Sequence, residues 1–208
     1  MNRTSVLGML AAASTAVVLV HCSNSETPST STVTATPTTV AAPSVSGSTS
    51  AHDGADVAFA QGMIPHHSQA VDMAGLAADR AGNDRMKQLA ASVENAQGPE
   101  IEQLRGFLAA WGQPEAPAGT DHAGMGHSST GGSGMTTDAQ MQQLEQARGT
   151  DFDRMFLQMM TAHHEGAVEM ARTELAGGRN PEAKALAQKI IDEQQAEIAT
   201  MANLLSTL

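Results

Sequence analysis

Methionine and histidine recur together in this sequence at helical spacing. Met63 and His67 are four apart, as are Met160 and His164; His66 and Met73 are seven apart, as are His163 and Met170. Residues four apart share one helix face, with Cβ atoms about 5–6 Å from one another. Neighbouring histidines diverge by about 100° around a helix, so one of each pair can face inward while the other faces a rim or a second site. Thioether and imidazole donors without a thiolate favour copper, and Cu(I) above all, over hard cations. The candidate metal ligands are therefore Met63, His66, His67, Met73, Met160, His163, His164 and Met170. Met155 and Met159 extend a ladder toward His163, and Met159 counts as a secondary ligand. His122, Met125 and His127 lie among glycines, near Asp121 and Met135, and form a second candidate set for capturing the same ion. The chain has 13 methionines. A single methionine more often fills a gap in a soft core, and that reading suits Met86, Met141 and Met201.

The elements that carry these residues are duplicated. A shift of 97 positions lays Asp56, Phe59, Met63, His66, His67 and Met73 on Asp153, Phe156, Met160, His163, His164 and Met170 without a gap. It also lays Leu89, Gln97, Glu100, Ile101 and Leu108 on Leu186, Gln194, Glu197, Ile198 and Leu205. Each unit is thus a pair of segments, 53–111 and 138–208. Phe59, Met63, His66, Ala70, Met73 and Ala77 form a stripe of helical period, and so do Leu89, Val93, Gln97, Ile101, Leu104 and Leu108. Asp53 and Thr150, each three residues before an aspartate, suit N-caps. Gly82-Asn83 and the run from Gly177 to Pro181 break each pair into a hairpin. Pro65 and Pro99 should kink their helices, whereas Ala162 and Ala196 hold the matching positions of the second unit. A short helix is expected near Asp138–Arg148. Two hairpins with one apolar stripe each dock most simply into an all-α four-helix bundle. His66, His163, Gln97 and Gln194 fall inside the stripes, so they must satisfy one another or a ligand.

The run from Met63-Ile64-Pro65-His66-His67 to Asp72-Met73-Ala74 resembles the hallmark of the family known as domain of unknown function 305. Phe156-Leu157, Met160 and His163-His164 repeat it. Gln97-Gly98-Pro99-Glu100-Ile101 and Gln194-Gln195-Ala196-Glu197-Ile198 resemble its second-helix signature. The resemblance covers about residues 53–111 and 138–207. It implies a ferritin-like four-helix bundle, an exported bacterial protein and, in some members, copper binding or tolerance.

The flanking segments set the compartment. Arg3 and the apolar run Val6–Val20 read as an export signal, too short for a comfortable membrane span. Cys22, the single cysteine, follows it as in a bacterial lipoprotein signal, although His21 is bulkier than the small residue expected there. The expected location is the extracytoplasmic face of the membrane, held by a lipid on Cys22, with plain secretion as the alternative. Residues 23–52 are Ser-, Thr- and Pro-rich, a composition suited to a disordered stalk. Residues 112–137 read as a flexible His-, Met- and Gly-rich linker.

Eleven Lys+Arg against 22 Asp+Glu, a net charge of −11, leaves no basic footprint for nucleic acid. The partners expected are a metal ion and the membrane, with homo-oligomerisation left open. Three functions compete. The first is copper sequestration, transfer or tolerance. The second is a structural or interaction lipoprotein whose His/Gln layer only fixes the bundle's register. The third and weakest is a ferritin-like oxidase, which needs Glu-x-x-His pairs. No such pair occurs here, and only Glu100 and Glu197 offer carboxylates. No catalytic constellation is recognised.

Overall fold

The computed structural model describes residues 51–116 and 134–208. They form six helices: α1 (Gly54–Gly75), α2 (Ala77–Arg80), α3 (Asp84–Trp111), α4 (Asp138–Gln146), α5 (Gly149–Gly177) and α6 (Pro181–Leu205). Helices α1 and α3 make the first hairpin, with α2 as a single turn between them; α5 and α6 make the second. The four long helices pack as a bundle in which α1 touches α3 and α5, and α6 touches α5 and more loosely α3. None of the described helices is long and apolar enough to cross a membrane.

Local sequence explains the ends of the helices. Asp53 caps α1 by accepting from the amides of Ala55 and Asp56, and Asp56 returns the bond to the Asp53 amide. Asn83 caps α3 and Asn180 caps α6, at equivalent positions of the two units. Thr137 and Gln140 form a capping box on α4. Helices α1 and α3 run on through Pro65 and Pro99.

Thr150 does not cap α5. That helix begins at Gly149 after Arg148, with no side-chain cap, and Thr150 lies inside it. Asp153 closes no box at its own helix end, and its carboxylate crosses to the other hairpin. Its carboxylate accepts from the Gly82 amide at 2.9 Å and from Asn83 Nδ2 at 2.9 Å. Asp56 does the same in reverse, accepting from the amides of Arg179 and Asn180. Each hairpin turn is thus held by the first helix of the other hairpin.

Two apolar clusters fill the bundle. One contains Phe59, Met63, Ile101, Leu104, Ala167, Leu186 and Ile190. The other contains Met73, Met86, Val93, Phe152, Phe156, Met160 and Met201. Following each helix through both clusters gives its direction. Helices α1 and α6 run from the first cluster to the second, and α3 and α5 run from the second to the first. Every touching pair is therefore antiparallel. Helix α4 precedes α5 and buries Leu144 in the second cluster.

Candidate metal centre

On each long helix the change from one cluster to the other falls at a polar residue. These are His66 and His67 on α1, Gln97 and Glu100 on α3, His163 and His164 on α5, and Gln194 on α6. All seven are buried. Four helices thus bring their polar residues to one level of the bundle, with methionines on either side.

The centre of this layer is a histidine pair across the two units. The rings of His66 and His163 lie with centroids 3.7 Å apart, tilted by 39°. His67 and His164 point instead to carboxylates on the neighbouring helix of their own hairpins. His67 Nε2 lies 2.8 Å from Glu100 Oε2, and His164 Nε2 lies 2.6 Å from Glu197 Oε2. Lys189 of α6 donates to the second oxygen of Glu100 at 2.8 Å and to Glu193 at 2.6 Å.

The electrostatics keep His163 and His67 neutral. Burial, joined by the nearby rings of His66, His164 and His67, pushes His163 far below the usual histidine range. Burial also lowers His67, against the opposing pull of its bond to Glu100. Burial alone would raise Glu100, but hydrogen bonds from His67 and Lys189 outweigh it and hold the carboxyl below its usual value. A neutral imidazole keeps one lone pair, the form a metal requires.

Much of the layer has no partner among the described residues. Both ring nitrogens of His163, Nδ1 of His67 and His164, and both amide atoms of Gln97 and Gln194 are buried and make no hydrogen bond there. Buried polar atoms are ordinarily paired, so this concentration is unusual. The His–Gln hydrogen-bond layer expected of a purely structural core is not formed by these two glutamines. Among the described residues no three His, Cys, Asp or Glu side chains are placed to hold an ion. A site built here on the histidines must also draw on sulfur.

The thioethers are distributed accordingly. Met63 of α1 and Met170 of α5 belong to the first cluster, and Met73 of α1 and Met160 of α5 to the second. Each side of the histidine layer therefore holds one of these four methionines from each unit. Met63, Met73 and Met160 are fully buried, whereas Met170 and Met159 are partly exposed. Met73 Sδ also accepts from the Thr136 hydroxyl at 3.5 Å. The Thr136 backbone exchanges two hydrogen bonds with the Gln69 side-chain amide, which pins the segment before α4 beside this site. Met86 and Met201 are fully buried core residues. Cys22, His122, Met125 and His127 lie outside the described residues.

Sequence reading brings out the stripes and the histidines but not the His–Glu pairs. Their signal is present: both separations are 33 residues. Helical spacing relates residues within one helix and cannot show which carboxylate a neighbouring helix presents. For the same reason it pairs His66 with Met73, while the fold also puts Met63 of α1 and Met170 of α5 in one apolar cluster.

Fold and layer together define an all-helical protein of two tandem hairpins closed around a buried imidazole level. The chain belongs to the DUF305 family, a domain of unknown function, whose model matches residues 56–205. Among solved structures it is similar to a DUF305 protein of Streptomyces coelicolor whose name assigns it to the secreted proteins. That pair shares 32% identity with a TM-score of 0.66, covering 77% of this chain and 94% of the other. A DUF305 fragment from Deinococcus radiodurans shares 30% identity with a TM-score of 0.65, over 75% and 98% of the two chains. CopM in its Cu(II)-bound form shares 31% identity with a TM-score of 0.62, over 73% and 96%. CopM is also similar in Cu(I)-bound, silver-bound and metal-free forms. Among curated proteins none matches.

Proposed function

We propose that this protein binds copper outside the cytoplasm, in the Cu(I) state by preference, and sequesters it or hands it on. His66 and His163 form the centre of the site, His67 and His164 flank them, and Met63, Met73, Met160 and Met170 supply thioether donors from both sides. The observation that carries this reading is the set of buried ring nitrogens with no hydrogen bond among the described residues: both of His163, and Nδ1 of His67 and His164. A soft monovalent ion suits it because neutral imidazole and thioether add no charge to the interior. CopM, solved with Cu(I), Cu(II) and silver, supports the same reading. Export, with a lipid on Cys22 and residues 23–52 as a stalk, completes the proposal. The apolar run Val6–Val20 and the secreted Streptomyces relative support it.

The test is a titration of metal-free protein with Cu(I) against a chromophoric chelator, for the parent and for His163→Leu. The parent takes up copper and His163→Leu does not. His163→Leu also raises the stability of the metal-free protein, by about 1–3 kcal/mol, because it removes a buried group that lacks a partner. A layer that serves only to fix the bundle's register predicts the reverse: no copper uptake by the parent and a loss of stability in the variant.

A further inference from the structure

The two His–Glu pairs are equivalent by sequence and unequal in surroundings. A carboxylate has no proton to donate. Where Glu100 and Glu197 accept from histidine, Nε2 must carry the hydrogen, and the remaining lone pair lies on Nδ1. In both rings that Nδ1 is buried and has no partner among the described residues. Each carboxylate thus fixes a tautomer and an orientation, as the outer partner of a metal-bound histidine does.

The inequality comes from Lys189. Its ammonium shares Glu100 with His67, drawing the carboxylate's charge away from the ring, and adds a positive charge on that side. The residue equivalent to Lys189 in the first unit is Ser92, and the equivalent of Glu193 is Ala96. Glu197 accordingly has no ammonium partner among the described residues. Its side chain is 19% exposed against 5% for Glu100. A groove of about 630 Å³ between α3 and α6 reaches both carboxylates, with Lys189 and Glu193 on one wall and Ser92 and Ala96 on the other.

We propose that Glu100 and Glu197 are positioning residues that offer Nδ1 of His67 and His164 to the metal, and that Lys189 orders the two halves so that the His164 half fills first. This rests on the copper reading above.

The experiment uses the full chain labelled with ¹⁵N in histidine, with silver(I) as the closed-shell probe. In metal-free protein, both rings show the pattern of an Nε2–H tautomer. On adding silver, the Nδ1 resonance of His164 moves before that of His67, and in Lys189→Ser the two move together. Glu197→Gln keeps an acceptor but loses the charge, and weakens the first binding step about tenfold. Glu197→Ala loses both and weakens it by about 10–100-fold. Lys189 is about half exposed, so its replacement leaves the core intact. An Nδ1–H tautomer in the metal-free protein, silver shifting Nε2, or an unchanged filling order in Lys189→Ser would each overturn the inference while leaving metal binding standing. A parent protein that takes up no silver would overturn the copper reading and the inference with it.

Discussion

At the scale of single residues, the most consequential group outside the histidine layer is Glu174. It lies at the end of α5, 1% exposed, beside the Asp56 carboxylate. Burial, then the neighbouring carboxylates of Asp56 and Asp53, raises it to about 8, with Lys184 opposing. Burial alone would raise Asp56 too, but the amides of Asn180, Asp53 and Arg179 hold it below its usual value. Glu174 is therefore the member of the pair that keeps a proton. Below its ordinary value of 4.5 it is protonated both folded and unfolded. Between 4.5 and 8 only the folded chain retains the proton, so stability falls as pH rises across that window. Glu174→Gln keeps a donor and carries no charge. It should flatten the pH dependence of thermal unfolding and gain a few kcal/mol at pH 8 relative to the parent. Equal slopes for parent and variant would show that Glu174 is ionised in the fold. The sequence hides this pair because the repeat places Ala77 opposite Glu174, so duplication gives no hint of it.

At the scale of the elements, two glycines should respond to alanine with opposite signs. Gly82 lies in the turn before α3, against the start of α5. A Cβ there would meet the Gly149 backbone at 2.8 Å and the Asp153 carboxylate at 3.0 Å. Gly82→Ala must push the hairpin turn off Asp153, at a cost of about 1–3 kcal/mol. Gly98 lies inside α3 with nothing within 4 Å of a built Cβ. Gly98→Ala should stabilise by about 0.5–1 kcal/mol, since a helix-interior glycine carries excess unfolded entropy. Chemical denaturation of both variants decides the matter, and a gain at Gly82 would mean that the turn is not held as described. The helices themselves were legible, because every residue of the two stripes is buried and Gly82 and Gly178 fall at the hairpin turns. The start of α5 was not. Reading Thr150 as a cap assumed that Asp153 serves its own helix, and only the tertiary fold shows which turn it holds.

At the scale of the whole molecule, the level shared by the four helices was half visible in the sequence. The repeat placed His66 and His163, and Gln97 and Gln194, at matching positions. It could not say that the two hairpins meet through α1 and α5, which is what brings the two imidazoles together and leaves α3 and α6 more open. The same geometry makes the molecule nearly two-fold symmetric. Asp56 reaches the second turn and Asp153 the first, and each side of the layer takes one of the four candidate methionines from each half. Contacts of this kind are isologous: the same patch serves on both sides of an axis. One hairpin alone buries only part of its apolar stripe, yet two copies of it could make every one of these contacts. Residues 134–208 expressed alone should therefore sediment as a homodimer, with Asp153 of one copy holding the Arg179-Asn180 turn of the other. A folded monomer would refute this. The fused chain then has the form of an ancestral pair of identical subunits joined end to end, free afterwards to let its two halves diverge, as they have at Lys189 and Ser92.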